Sequence, residues 1–179
     1  HPKFDVGRWA LGFGIRDFTI RKLERNAQYW IDKLQLTPHV EGGAYGEVYR
    51  ANLILPHSAL TKTHNSDRNA MTSIYFLLQH GEFSAFHRIA SDELWHHYDG
   101  GTLCIYEITP VGQLKRHLLG IEEGAMPFVM IPAGSWFGSR VEIEGSFTLC
   151  GCTVAPGFDF ADFELADRSV LAGQYPAHT

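Results

Sequence analysis

The chain has 179 residues, with 15 basic against 20 acidic side chains for a net charge of −5, and it is 45% hydrophobic and 13% aromatic with 18 glycines. That length suits one domain burying roughly two-thirds of its unfolded surface, and the composition excludes a disordered chain. The acidic balance, without a basic run to neutralise successive phosphates, excludes nucleic acid as a partner.

The first elements read as an extension, a helix and a strand. No apolar run reaches the ~18 residues a membrane span needs. His1 to Ile20 also lacks the sustained apolar stretch of a signal peptide, so a soluble cytoplasmic protein away from membranes is expected. The sequence begins at His1 rather than Met, so its first residues are expected to derive from an added tag or a trimmed precursor. Residues 1–19 read as an N-terminal extension and 20–179 as a single domain. From Ile20 to Leu36, the apolar Leu23, Ala27, Trp30, Ile31 and Leu34 recur at helical spacing with charges opposite, which predicts one amphipathic helix. Pro38 ends it, and Glu41-Gly42-Gly43 reads as a turn before Tyr45, Glu47 and Tyr49 alternate as in a half-buried strand.

Beyond an aperiodic loop over 52–69, short strands are predicted at 71–78, 83–89, 93–98, 102–109, 114–119, 128–131, 135–140 and 147–154, separated by glycine turns. This rhythm predicts a mainly β antiparallel sandwich or barrel behind an N-terminal α-helix, without repeats. Asp159, Asp162 and Glu164, interleaved with Phe158, Phe160 and Phe163, read as an edge strand with a solvated acidic face. Cys104, Cys150 and Cys152 read as reduced, packed thiols.

Gly81, His87, Glu93 and Gly100 fall in the pattern G-x5-H-x-I-x3-E-x6-G, which resembles the first motif of the cupin superfamily with Ile89 where a second His would stand. Pro132 to Phe137 resembles the second motif, with Phe137 in place of the third His. Two strands joined by a turn would direct His87 and Glu93 to the barrel interior, with Phe83, Ala85 and Ile89 on the His87 face and Trp95 and His97 on the Glu93 face. Over most of the chain the blocks Thr37 to Gly43, Tyr45 to Arg50, Ile74 to Leu78, Ala85 to Ile89, Ser91 to His96 and Val154 to Phe160 resemble an uncharacterised family of RmlC-like cupins, a domain of unknown function. Within these blocks Val40, Gly46 and His97 depart from the family's usual Pro, Arg and Phe.

The resemblance implies a jelly-roll barrel, a homodimer, and similarity to metal-free epimerases acting on nucleotide-linked keto sugars. The leading functional reading is accordingly a metal-independent cupin, without a cofactor, that binds a nucleotide-linked or phosphorylated sugar-like ligand and epimerises or isomerises it. His87 is the expected general base, Glu93 the group that holds its tautomer, and Tyr75 the residue that returns a proton. Arg50 and Arg68 are candidates to clamp a phosphate or carboxylate; Trp95, Trp136 and Phe137 could wall a ring; His96 and His97 could orient the ligand. Two readings stay open beside it. One is a metal enzyme of oxygenase or hydrolase type, in which His96 or His97 joins His87 and Glu93 around iron, manganese or zinc. The other is a non-catalytic binding module.

Overall fold

The computed structural model describes residues 25–178. The N-terminal extension and the first part of the expected helix lie outside them. The remaining helix, α1 (Ala27–Leu34), is capped at its start by Asn26, whose side-chain oxygen accepts from the Tyr29 N–H at 2.9 Å. It ends where Gln35 adopts a left-handed φ of 54°.

The strands are β1 (Thr37–Pro38), β2 (Ala44–Arg50), β3 (Ile54–Leu55), β4 (Arg68–Asn69), β5 (Thr72–Gln79), β6 (Phe83–Arg88) and β7 (Asp92–Gly100). They continue with β8 (Leu103–Ile108), β9 (Leu114–Leu119), β10 (Phe128–Ile131), β11 (Trp136–Val141), β12 (Phe147–Ala155) and β13 (Glu164–Leu165). A short helix α2 (Arg168–Gln174), which the sequence pattern did not reveal, follows β13. Two antiparallel sheets, ordered β1-β2-β5-β12-β7-β10 and β13-β6-β11-β8-β9, make the jelly-roll sandwich that the glycine rhythm predicts.

Alternation along each strand decides what lies between the sheets. Phe76, Leu78, Trp95, Leu103, Ile105, Phe137, Cys150 and Cys152 come from both sheets and form one buried cluster. All three cysteines are free and buried, as their strand setting implies. The outer face of the larger sheet is covered by α1, whose Ala27, Trp30 and Leu34 pack on Leu77, Leu149 and Tyr75. Trp30 fixes this docking by donating its indole N–H to Asp99 at 2.7 Å. Among the described residues no helix is long and apolar enough to cross a membrane.

Three local expectations change. The 52–69 segment carries a small β3–β4 ladder and a one-turn 3-10 helix at His57–Ala59 rather than loop alone. The supposed edge strand over 158–164 is a 3-10 turn at Phe160–Asp162 followed by β13, which pairs with β6. Asp162 is not solvated there, because its side chain is 4% exposed and ion-paired to Arg68. Finally, β6 carries two residues opposite Gly138, a bulge between the Phe137–His87 and Ser139–Ser84 pairs, so Phe83 loses the inward face and is 63% exposed.

Candidate functional site

A cavity of about 340 Å³ opens between the sheets at the end where β2, β6 and the chain after β12 meet. Its inner wall includes His87 from β6, Glu93 from β7, Ile74 from β5 and Cys152 and Val154 from β12. Register explains the grouping. Val154 pairs with Glu93 and Thr72, and Cys152 with Ile74, so these residues share the inward face across three strands. Ile89, at the position of the missing second His, lines the same cavity.

Two wall residues arrive by irregular backbone. In β2 the register slips between the Glu47–Ile74 and Tyr49–Ser73 pairs, and this bulge turns Arg50 onto the same side as Glu47. Both line the cavity and pair at 2.7 Å. Glu41 lies in the turn before β2. Gly42 at φ 111° and Gly43 at φ 71° bend the chain there, and a Cβ on Gly42 would stand 2.1 Å from the Phe83 carbonyl oxygen. The turn is bonded to the opposite sheet by the Ala85 N–H, which donates to the Glu41 carbonyl at 2.8 Å.

The Glu41 side chain is thereby delivered to His87. Its Oε2 lies 2.8 Å from Nδ1 of His87, which also lies 2.8 Å from the Ala85 carbonyl, so that ring nitrogen carries its proton toward two acceptors. Glu41, not Glu93, is therefore the group that orients the His87 ring, a role the sequence pattern assigned to the wrong glutamate. Phe163 stacks on the imidazole at 5.3 Å and Phe137 meets its edge at 4.2 Å. His39 adds a second imidazole, 3.5 Å from Glu41 Oε1.

Charge balance in this group is unusual. Burial drives Glu93 up to about 7, with the charge of His87 opposing and that of Glu41 assisting, and the Cys152 thiol is its one hydrogen-bond neighbour among the described residues. Burial alone would lower His87, but the charge of Glu41, the hydrogen bond with it and the charge of Glu93 outweigh that and raise it. His39 is lowered, first by burial, with Glu41 opposing. The interior thus holds a His87 whose protonated form is favoured by Glu41 and a Glu93 brought up to about 7.

The other expected site residues disperse. Of the two arginines, only Arg50 lines the cavity. The Arg68 guanidinium spends itself on both Asp162 oxygens, at 2.6 and 2.5 Å, with a further short contact to Ser66. Tyr75 alternates with the inward Ile74 and Phe76, so it lies on the outer face beside Tyr98 under α1, too far removed to return a proton. Trp95 is core, edge-on to Phe76 at 5.8 Å, and Phe137 packs beneath His87 rather than against open space. Trp136 is buried under the Arg88 guanidinium, which stacks on its ring at 4.7 Å. His96 faces outward against Phe128, while His97 does point inward but its Nε2 sits 3.3 Å from the Gly101 carbonyl, away from the cavity. What sequence reasoning missed is Glu41, His39 and the aromatic closure by Phe158, Phe160 and Phe163. A resemblance block contained the first two, but nothing in their spacing signalled an inward direction.

A metal, which many cupins hold, does not fit this donor set. Among the described residues no group of three His, Cys, Asp or Glu side chains is arranged to hold one. Ile89 and Phe137 fill two of the usual ligand positions with hydrocarbon.

Comparison with known proteins agrees with this architecture. The family described as "Cupin superfamily (DUF985)" matches residues 28–166. A crystal structure of a protein from Shewanella oneidensis is 41% identical, with a TM-score of 0.77 over 86% of this chain and 92% of that one. A hypothetical protein from Leishmania major is 34% identical, with a TM-score of 0.79 over 86% and 94%. Oxalate decarboxylase from Bacillus subtilis shares the fold alone, at 14% identity and a TM-score of 0.51 over 78% of this chain and 34% of that one. No protein of curated function matches the sequence.

Proposed function

This chain belongs to the cupin superfamily family DUF985, and from that premise we propose that it is a metal-independent acid–base protein that isomerises a sugar-like carbonyl compound. The observation that carries the reading is a buried carboxyl brought up to about 7 beside a buried imidazole held toward its protonated form. Groups displaced in this way divide into base and acid at neutral pH. The roles expected from sequence then exchange. Glu93, as carboxylate, takes the proton from the carbon beside the carbonyl, and the C–H electron pair becomes the double bond of an enediol. The carbonyl oxygen meanwhile takes a proton from Nε2 of His87, the ring nitrogen not committed to Glu41.

Returning the Glu93 proton to the neighbouring carbon, while the other hydroxyl gives its proton back to His87, completes a shift without any external reagent. Since Tyr75 is outside the cavity, this one-base course favours isomerisation over epimerisation, which needs a second acid on the opposite face. At about 340 Å³ the cavity is at the small end of ligand pockets. It suits a sugar unit, and any nucleotide attached to it would extend past Arg50 into solvent.

The test is to incubate the protein in D2O with aldoses, ketoses and their phosphate esters and to follow deuterium at the carbon next to the carbonyl by NMR. Glu93→Gln is expected to reduce exchange by about 10²- to 10⁴-fold. Ligand binding without exchange would instead favour a non-catalytic module. The homodimer implied by family resemblance belongs to this reading, and a single 20.1 kDa species in sedimentation would remove it.

A further inference from the structure

We propose that the cavity selects a hydroxylated ligand carrying no phosphate, and that its own carboxylates do the rejecting. The inference rests on the proposed function in one respect, that the ligand occupies this cavity. Among the described residues four acidic side chains line it, Glu41, Glu47, Glu93 and Asp159, against a single arginine, Arg50. That arginine is already occupied. Its Nε and Nη2 donate to the two Glu47 oxygens at 3.1 and 2.7 Å, and its Nη1 donates to Asn69 Oδ1 at 3.0 Å and the Phe158 carbonyl at 3.3 Å. A phosphate could take only the remaining Nη2 hydrogen without displacing Glu47, and Asp159 stands close enough to act on the same guanidinium. Deeper in the cavity, the Nδ1 of His87 is likewise committed to a carboxylate, lying 2.8 Å from Glu41 Oε2.

What the cavity presents instead suits hydroxyl groups. Glu93 is 7% exposed and among the described residues has only a thiol as hydrogen-bond neighbour, so it is a buried polar group without a strong partner there. A ligand hydroxyl satisfies it in either protonation state, donating to the carboxylate or accepting from the acid. Ile89, Val154, Phe158, Phe160 and Phe163 supply the apolar wall against which the C–H face of a sugar ring packs. The expectation of a phosphorylated ligand, drawn from resemblance, is thus revised by the charges that surround Arg50.

The experiment compares each free monosaccharide with its phosphate ester by calorimetric titration of the full chain, with inorganic phosphate as a third probe. At least one free sugar is expected to bind, with its ester weaker by about tenfold or more. Millimolar inorganic phosphate should not compete. In the double variant Glu47→Gln/Asp159→Asn, which frees Arg50 while keeping side chains of the same size, the penalty on the ester should vanish. An ester that binds wild type more tightly than its free sugar, a penalty unmoved in the double variant, or the absence of binding by any free sugar would each overturn the proposal. Deuterium exchange into phosphate esters alone would spare the acid–base reading and remove this one. Free sugars that bind without exchange would do the reverse.

Discussion

Glu107 on β8 and Glu93 on β7 are both inward-facing acids, 1% and 7% exposed, in the same sandwich. Glu107 accepts from the Ser135 hydroxyl at 2.8 Å, lies 2.8 Å from His117 Nε2 and has Lys115 at 3.9 Å. Glu93 has a thiol. Burying an acid without partners is costly, and the two sites resolve that cost differently: one by building a complete polar shell, the other by leaving the carboxyl to titrate near neutrality at the wall of a cavity. The contrast separates a structural acid from a functional one better than burial does, because burial is nearly the same for both.

Four substitutions bear on this contrast between the two acids. Glu107→Ala leaves the Ser135 hydroxyl and the His117 ring without their acceptor, and urea denaturation should show a loss of about 3 kcal/mol. A loss under about 1 kcal/mol would mean that the completed shell does little for stability.

Glu93 should show its cost through pH. A carboxyl whose folded pKa is raised stabilises the fold below its unfolded value of 4.5, and that contribution is lost as the pH rises to about 7. A shift of that size corresponds to about 3 kcal/mol across the window. Glu93→Gln, which cannot ionise, should flatten this fall in stability, whereas parallel wild-type and variant curves would show that Glu93 is not the titrating group.

Glu41→Gln removes the charge that raises His87, so the His87 imidazole should titrate at lower pH in NMR, and no change would return the orienting role to Glu93. The smallest effect is expected from Cys152→Ser. It gives Glu93 a stronger donor, which lowers its folded pKa, so the pH-dependent fall should end at a lower pH while its onset near 4.5 stays where it is.

The sandwich was legible because its strands obey period two and break at glycines, and the nine longer strands lie within two residues of their expected bounds. His87 and Glu93 stand out by their spacing in the first cupin motif, and period two gives their inward direction. The rest of the site depends on departures from regularity. Arg50 reaches the cavity through a bulge, Glu41 through two left-handed glycines, and the phenylalanine wall through a 3-10 turn that sequence read as an edge strand. Such features are set by contacts between distant segments, as when the Ala85 N–H holds the Glu41 carbonyl, and local patterns do not encode them. Tyr75 failed as a candidate for the opposite reason: regular alternation should have ruled it out, since its neighbours Ile74 and Phe76 face inward.

The Arg68–Asp162 ion pair, which played no part in binding, has a consequence for how the cavity mouth opens. Both side chains are less than 5% exposed, so releasing one segment strands a charge in the other. The same two segments are stitched by the Gly157 N–H to the Asn69 carbonyl at 2.7 Å and the Phe158 N–H to the Thr72 hydroxyl at 2.9 Å. The β4 region and the chain after β12 should therefore detach together, as one cooperative unit with a common opening free energy in native-state hydrogen exchange. Proteolytic nicking on either side of the mouth would then loosen both sides at once.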